Sequence, residues 1–140
     1  MMPEQVGKYG AMFRREKMDR RARQVALQLG ASRVAMGIGI FLATRPALRL
    51  LGFDATDAGG RALAKLGGGR DVAIGAITLA ARNDRQALRT ALLVSSACDF
   101  ADAIALGISV RDPQTRKAGV GGGLSGGAAA VAGLWAWHRL

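Results

Sequence analysis

The sequence predicts an all-α protein, a four-helix transmembrane bundle carrying a basic N-terminal tail. Three observations predict it. Four apolar segments are separated by short charged links. The composition is 50% hydrophobic yet only 5% aromatic, with 20 glycines among 140 residues, and small residues suit helices that approach one another closely, as membrane helices do. Acidic and arginine side chains also recur inside the apolar segments at helical spacing, and not only in the links.

Residues 1–22 form the tail, and residues 23–140 the membrane domain. The tail concentrates Lys8, Arg14, Arg15, Lys17, Arg20 and Arg21, with Arg23 just beyond it. Such a run is expected to lie against anionic lipid headgroups, at about 1 kcal/mol per basic residue near the surface. Glu4, Glu16 and Asp19 within it, and the lack of a small-residue cleavage site after the first apolar run, argue against a secretory signal. The formal charge of +10 also suits nucleic acid, and a soluble basic helical nucleic-acid-binding protein is one alternative. It is disfavoured, because the basic segment has almost no interleaved aromatics and no recognisable reading module.

The first helix is expected over about 24–44, closed by Arg45-Pro46, since proline cannot continue the hydrogen-bond ladder. The second is expected over about 66–81, closed by Arg82-Asn83-Asp84-Arg85. The third is expected over about 87–110, closed by Arg111-Asp112-Pro113, and the fourth over about 118–138. A bilayer core of about 30 Å needs about 20 helical residues; the third and fourth segments reach that length, and the second is short. The connection from 45 to 65 is long, and Leu48, Leu50, Leu51 and Phe53 suggest a short amphipathic turn on the membrane surface. Trp135 and Trp137 fit an interfacial aromatic belt.

With the N-terminus inside, the cytoplasmic face receives the tail, Arg82, Arg85, Arg89 and Arg139. The opposite face receives Arg45, Arg49, Arg61, Lys65, Arg111, Arg116 and Lys117. The tail decides the balance, so both termini are expected in the cytoplasm, in the bacterial inner membrane.

Each helix carries one polar or small face: Arg33, Gly37 and Thr44 on the first, Asp71, Gly75, Thr78 and Arg82 on the second, Ser95, Asp99, Asp102 and Ser109 on the third. Counted at about 1.5 Å per residue, Arg33 and Asp99 each lie about 16 Å from the outer end of their segment. The expected site is therefore an intramembrane cluster in which Arg33 meets Asp99 and Arg70 meets Asp102, with Asp71 nearby. A lone charge near the bilayer centre costs about 2.5–3.5 kcal/mol on insertion scales, so pairing is favoured. The cluster supports two roles. One is a scaffold or subunit of a membrane assembly, with a homo-oligomer or another membrane protein as partner. The alternative is a small transporter-like or ligand-binding protein using Asp99 and Asp102.

Gly119, Gly122, Gly123, Gly126 and Gly127 form small-xxx-small pairs expected to pack helices. The spacing of Gly121, Gly123 and Gly126 mimics a dinucleotide loop, but no strand precedes it and no acid follows. Gly67-Gly68-Gly69 lacks the Lys-Ser/Thr of a phosphate loop. His138 is the only histidine and Cys98 the only cysteine, so no intramolecular disulfide, no His/Cys metal cluster, no cofactor and no enzymatic activity are expected.

Gly69-Arg70-Asp71, Gly75, a short charged hairpin and Asp99-Phe100-Ala101-Asp102 together resemble small bacterial four-helix membrane proteins of uncharacterised families. The resemblance covers roughly residues 31–137. It implies four membrane helices and no established activity. The abundance of Ala, Gly and Arg is similar to that of proteins from GC-rich bacterial genomes.

Overall fold

The computed structural model describes residues 3–140, with side chains from Met18 onward. It is helical throughout, with no strand among the described residues: α1 Pro3–Leu42, α2 Thr44–Leu50, α3 Ala58–Ala80, a 3-10 turn Ala81–Asn83, α4 Arg85–Ser109 and α5 Arg116–Arg139. The side chains of Lys8, Arg14, Arg15 and Lys17, expected at lipid headgroups, lie outside the described residues.

Several boundaries differ from those the sequence suggests. No break separates tail from first segment; α1 runs through residues 22 and 23. Residues 11–29 contain neither Gly nor Pro and are rich in Arg, Gln, Met, Leu and Ala, all good helix formers. The first helix ends at Leu42, before Arg45-Pro46, because Ala43 adopts φ −134°, ψ 49°. Pro46 then sits in the first turn of α2, where its missing N–H would have no intrahelical partner anyway. The α2 helix closes on a Schellman motif. Gly52 takes φ +83°, Phe53 N–H donates to the Leu48 carbonyl at 2.9 Å, and Gly52 N–H donates to Arg49 at 3.1 Å.

The α3 helix begins at Ala58, eight residues earlier than expected, because Asp57 caps it by accepting from the Gly60 amide. Asp84 likewise caps α4, accepting from the amides of Gln86 at 2.9 Å and Ala87 at 3.0 Å.

The helices associate as two close pairs, α1 with α3 and α4 with α5. Glycine sets both approaches. A Cβ on Gly75 would lie 2.5 Å from the Gly30 carbonyl oxygen, and one on Gly37 would overlap the Gly68 carbonyl. On the other pair, a Cβ on Gly119 would lie 2.6 Å from the Leu106 carbonyl oxygen. One on Gly126 would lie 3.2 Å from that of Asp99, and one on Gly133 would overlap the Ser96 hydroxyl. The contacting glycines are seven residues apart: Gly30 and Gly37, Gly68 and Gly75, then Gly119, Gly126 and Gly133. A seven-residue period keeps one face on a neighbour crossed at a shallow angle. Gly122 packs on Leu106, Gly123 is looser at 3.6 Å from the Ala103 carbonyl oxygen, and Gly127 has nothing within 4 Å of its Cβ position. The expected i, i+4 pair Gly123/Gly127 therefore does not pack, because the period of this interface is seven.

An apolar core occupies one end of the bundle, where Ala22, Ala26, Ala81, Leu88, Leu92, Ala136 and Leu140 meet, flanked by Val25, Leu29 and Trp137. Towards the middle, the interior turns polar.

Candidate functional site: an alternating arginine–aspartate circuit

Arg33 is 6% exposed, Asp71 6% and Asp99 9%. They are held inside because each lies on the polar face of its helix, three or four residues from a close glycine contact. The Arg33 guanidinium reaches two helices at once. Its Nη1 donates to Asp71 Oδ1 at 2.5 Å, and its Nη2 donates to the Asp99 carboxylate and, at 3.4 Å, to the Ser95 carbonyl. A planar guanidinium suits this bridging; a lysine ammonium, a point charge, does not.

The circuit continues through Arg70. Its Nη2 lies 3.7 Å from Asp71 Oδ1. Its Nη1 and Nη2 donate to Asp102 Oδ1 and Oδ2 at 3.1 and 2.5 Å, a bidentate pair. The order is Asp99, Arg33, Asp71, Arg70, Asp102, with signs alternating, and the path leaves α4, crosses α1 and α3, and returns to α4. Three carboxylates and two guanidiniums leave a formal charge of one negative. Asp71, the acid least fixed by the sequence, is the central link between the two arginines.

The two acids on α4 differ in setting. Asp99 is buried, whereas Asp102 and Arg70 are half-exposed. A spacing of three turns a helix through about 300°, so side chains at i and i+3 diverge by about 60°. Beside the circuit lies a cleft of about 310 Å³ between α1, α4 and α5, with Asp71 of α3 on its wall and Arg33, Asp99, Asp102, Ser32 and Ser125 among its other lining residues.

The hydroxyls of three remaining stripe residues bond to the backbone one turn before them. Thr44, Thr78 and Ser109 return hydrogen bonds to the carbonyls of Ile40, Ile74 and Ala105 at 2.6, 2.9 and 3.0 Å. Arg82 is exposed, and its carbonyl accepts from Arg23. The Ser96 hydroxyl, buried against Gly133, is the one buried side-chain polar atom without a partner among the described residues. No group of His, Cys, Asp and Glu among the described residues has the arrangement of a metal site. Missed in the sequence were Gly30, Gly68 and Gly133 as contact points; the seven-residue spacing of glycines was the signal that could have found them.

Two described helical stretches, Met18–Leu42 and Arg85–Ser109, are long and apolar enough to cross a membrane. No curated protein and no solved structure matches the chain. Residues 30–138 match the family model described as a domain of unknown function, DUF4267, and the chain belongs to that family. The matched region contains the whole circuit and the glycines at which the paired helices touch.

Proposed function

We propose that this DUF4267 protein is a four-helix integral membrane protein of the bacterial inner membrane with both termini in the cytoplasm. Its role is non-catalytic: a scaffold or subunit of a membrane assembly, its helices held in register by the Arg/Asp circuit. One observation carries the reading, the inversion of burial. Arg33, Asp71, Thr78, Ser95, Ser96 and Asp99 are inside, while Phe41, Leu66, Ile77, Phe100, Ile108, Leu124 and Val131 are outside, most of them more than half exposed. Water would penalise that exterior heavily and lipid would not.

Helix lengths agree. The 23 residues of α3 and 24 of α5 span about 35 Å at 1.5 Å per residue, enough for a core of about 30 Å. Glycine lowers their hydropathy, but their outward residues are Leu63, Leu66 and Ile77 on α3 and Val120, Leu124, Val131 and Leu134 on α5. In this reading Arg33 sits near the bilayer centre and is tolerated there because two acids neutralise it.

The cleft beside the circuit favours a second reading, in which Asp99 and Asp102 hold a proton, a cation or a polar ligand. Neither the burial pattern nor the family supports a soluble nucleic-acid-binding protein. Alkaline carbonate extraction tests the membrane reading: the chain stays in the pellet, and release into the supernatant overturns it. Asp99→Asn separates the two roles. A ligand-handling protein keeps its fold and loses a proton- or cation-dependent change in tryptophan fluorescence; a scaffold loses helix association instead.

A further inference from the structure

At the end of the bundle that carries the apolar core, a second charged site is built from three elements. Arg20 and Arg23 of α1, Arg82 and Asn83 of the 3-10 turn, and Arg85 at the start of α4 surround a cavity of about 230 Å³, walled also by Asp19, Leu88 and Leu140. We propose that this cavity binds the phosphate of an anionic lipid headgroup in the cytoplasmic leaflet. The inference rests on the membrane reading above but concerns different residues.

Charge is the first argument. The guanidiniums of Arg23, Arg82 and Arg85 line the cavity, against the Asp19 carboxylate. Asp19 approaches Arg85 only to 4.0 Å, with side chains 47% and 64% exposed, so it neutralises that arginine weakly. Guanidinium suits phosphate because its fork of N–H donors matches two phosphate oxygens.

Preorganisation is the second. Arg23 Nη2 donates to the Arg82 carbonyl and, at 3.2 Å, to Asn83 Oδ1. This contact ties the 3-10 turn to α1 and sets Arg23 and Arg82 side by side, using one of the three nitrogens of Arg23. The floor is rigid: Leu88 is 1% exposed, and its neighbours Ala22, Ala26 and Ala81 are closely packed.

Depth is the third argument, and it selects a lipid over a soluble phosphate. Arg23 lies ten residues before Arg33 and Arg82 eleven residues after Asp71, about 15 and 16 Å along their helices at 1.5 Å per residue. That is half of a hydrocarbon core of about 30 Å, so a circuit at the midplane places the cavity at headgroup level. On the same end the Trp137 ring lies 5.1 Å from the Arg89 guanidinium, an arrangement suited to the interface. Basic pockets between membrane helices on the cytoplasmic side are known sites for anionic headgroups.

Native mass spectrometry of the full chain, released from detergent with graded phosphatidylglycerol or phosphatidylcholine, tests the proposal. Phosphatidylglycerol is expected to be retained at one molecule per chain and to bind at least about tenfold more tightly than phosphatidylcholine. Arg82→Gln/Arg85→Gln is expected to remove that preference, while Arg45→Gln/Arg49→Gln, at the opposite end, leaves it intact. Elution volume and far-UV circular dichroism check the fold, and Arg85→Gln alone replaces the double variant if it unfolds. Equal retention of the two lipids overturns the proposal. Displacement of phosphatidylglycerol by millimolar inorganic phosphate overturns the lipid assignment in favour of a soluble phosphate ligand. A chain that stays in the carbonate pellet yet shows no lipid preference leaves the membrane reading standing and this one refuted; release by carbonate removes both.

Discussion

Replacing Arg33 with methionine keeps the bulk and most of the reach of the side chain and removes the guanidinium that joins Asp71 on α3 to Asp99 on α4. At about 4 Å between charge centres and an effective dielectric near 20, each attraction amounts to about 4 kcal/mol. The two together are reduced by the repulsion left between the acids and by the desolvation of Arg33 that the variant no longer incurs. Measured losses from removing one partner of a buried ion pair run to about 3–5 kcal/mol, and the same range is expected here. Asp71 retains only the 3.7 Å approach of Arg70, and Asp99 retains no guanidinium, so the loss is not made good locally. Unfolding of the purified protein in mixed micelles, titrated with dodecyl sulfate and followed by tryptophan fluorescence, reads the difference. The triple variant Arg33→Met/Asp71→Leu/Asp99→Leu is the essential control. With no charge left unpaired it should recover the loss and, on the precedent of buried ion triads, exceed the parent's stability by about 1–4 kcal/mol. An Arg33→Met protein within about 0.5 kcal/mol of the parent would refute the reasoning, because a buried carboxylate cannot lose its partner that cheaply.

Arg70→Gln should cost clearly less than Arg33→Met in the same titration, since Arg70 and Asp102 are about 40% exposed and solvent or headgroups replace part of the interaction. Gly75→Ala should destabilise by about 1–3 kcal/mol, because its Cβ would press on the Gly30 carbonyl and on Val34. Gly127→Ala should be neutral or gain up to about 1 kcal/mol, having nothing to strike; a larger loss for Gly127→Ala than for Gly75→Ala would reverse the assignment of the packed face. In the connection between α2 and α3, the amide and hydroxyl of Thr56 hold the Asp54 carboxyl below its ordinary 3.8. A depressed carboxylate supports the turn above its unfolded value and loses that support as pH falls through the folded one. The Thr56 amide resonance should therefore titrate with a midpoint below 3.8, and a midpoint above it would contradict the hydrogen bonds.

Residue counting reads depth well, because rise per residue in a helix is nearly constant. Arg33 and Asp99, counted to equal depth, are in contact, and so are Arg70 and Asp102. Counting reads azimuth less well. Asp99 and Asp102 share a face on a helical net, yet about 60° of divergence suffices to bury one and leave the other half-exposed. Asp71 was underdetermined for a related reason: which acid ends up between two arginines depends on how closely α1 and α3 approach. The helix starts at Ala58 and Arg85 were hidden because Asp57 and Asp84 read equally well as loop charges and as caps. The uninterrupted α1 was hidden because charge marks solvent exposure and not the end of a helix.

The glycines and the charges form one device. Along the antiparallel pair α1 and α3, Gly30 faces Gly75, Arg33 faces Asp71 and Gly37 faces Gly68, each step advancing one helix as it retreats along the other. The ion pair therefore sits between two points of backbone contact, one turn from each. Larger residues at those points would hold the helices apart and leave the Arg33 fork unable to reach both Asp71 and Asp99. The α4 and α5 pair repeats the logic: Gly126 packs on the Asp99 carbonyl and fixes the height at which that carboxylate meets Arg33. Close packing alone selects a face, since a slip of seven residues would juxtapose glycines again. The charges remove that ambiguity, because only one register gives every buried sign its opposite. This is the best-attested use of buried polar groups, specification rather than stability, and it would account for three buried charged side chains, Arg33, Asp71 and Asp99, where leucine would be the more stable choice.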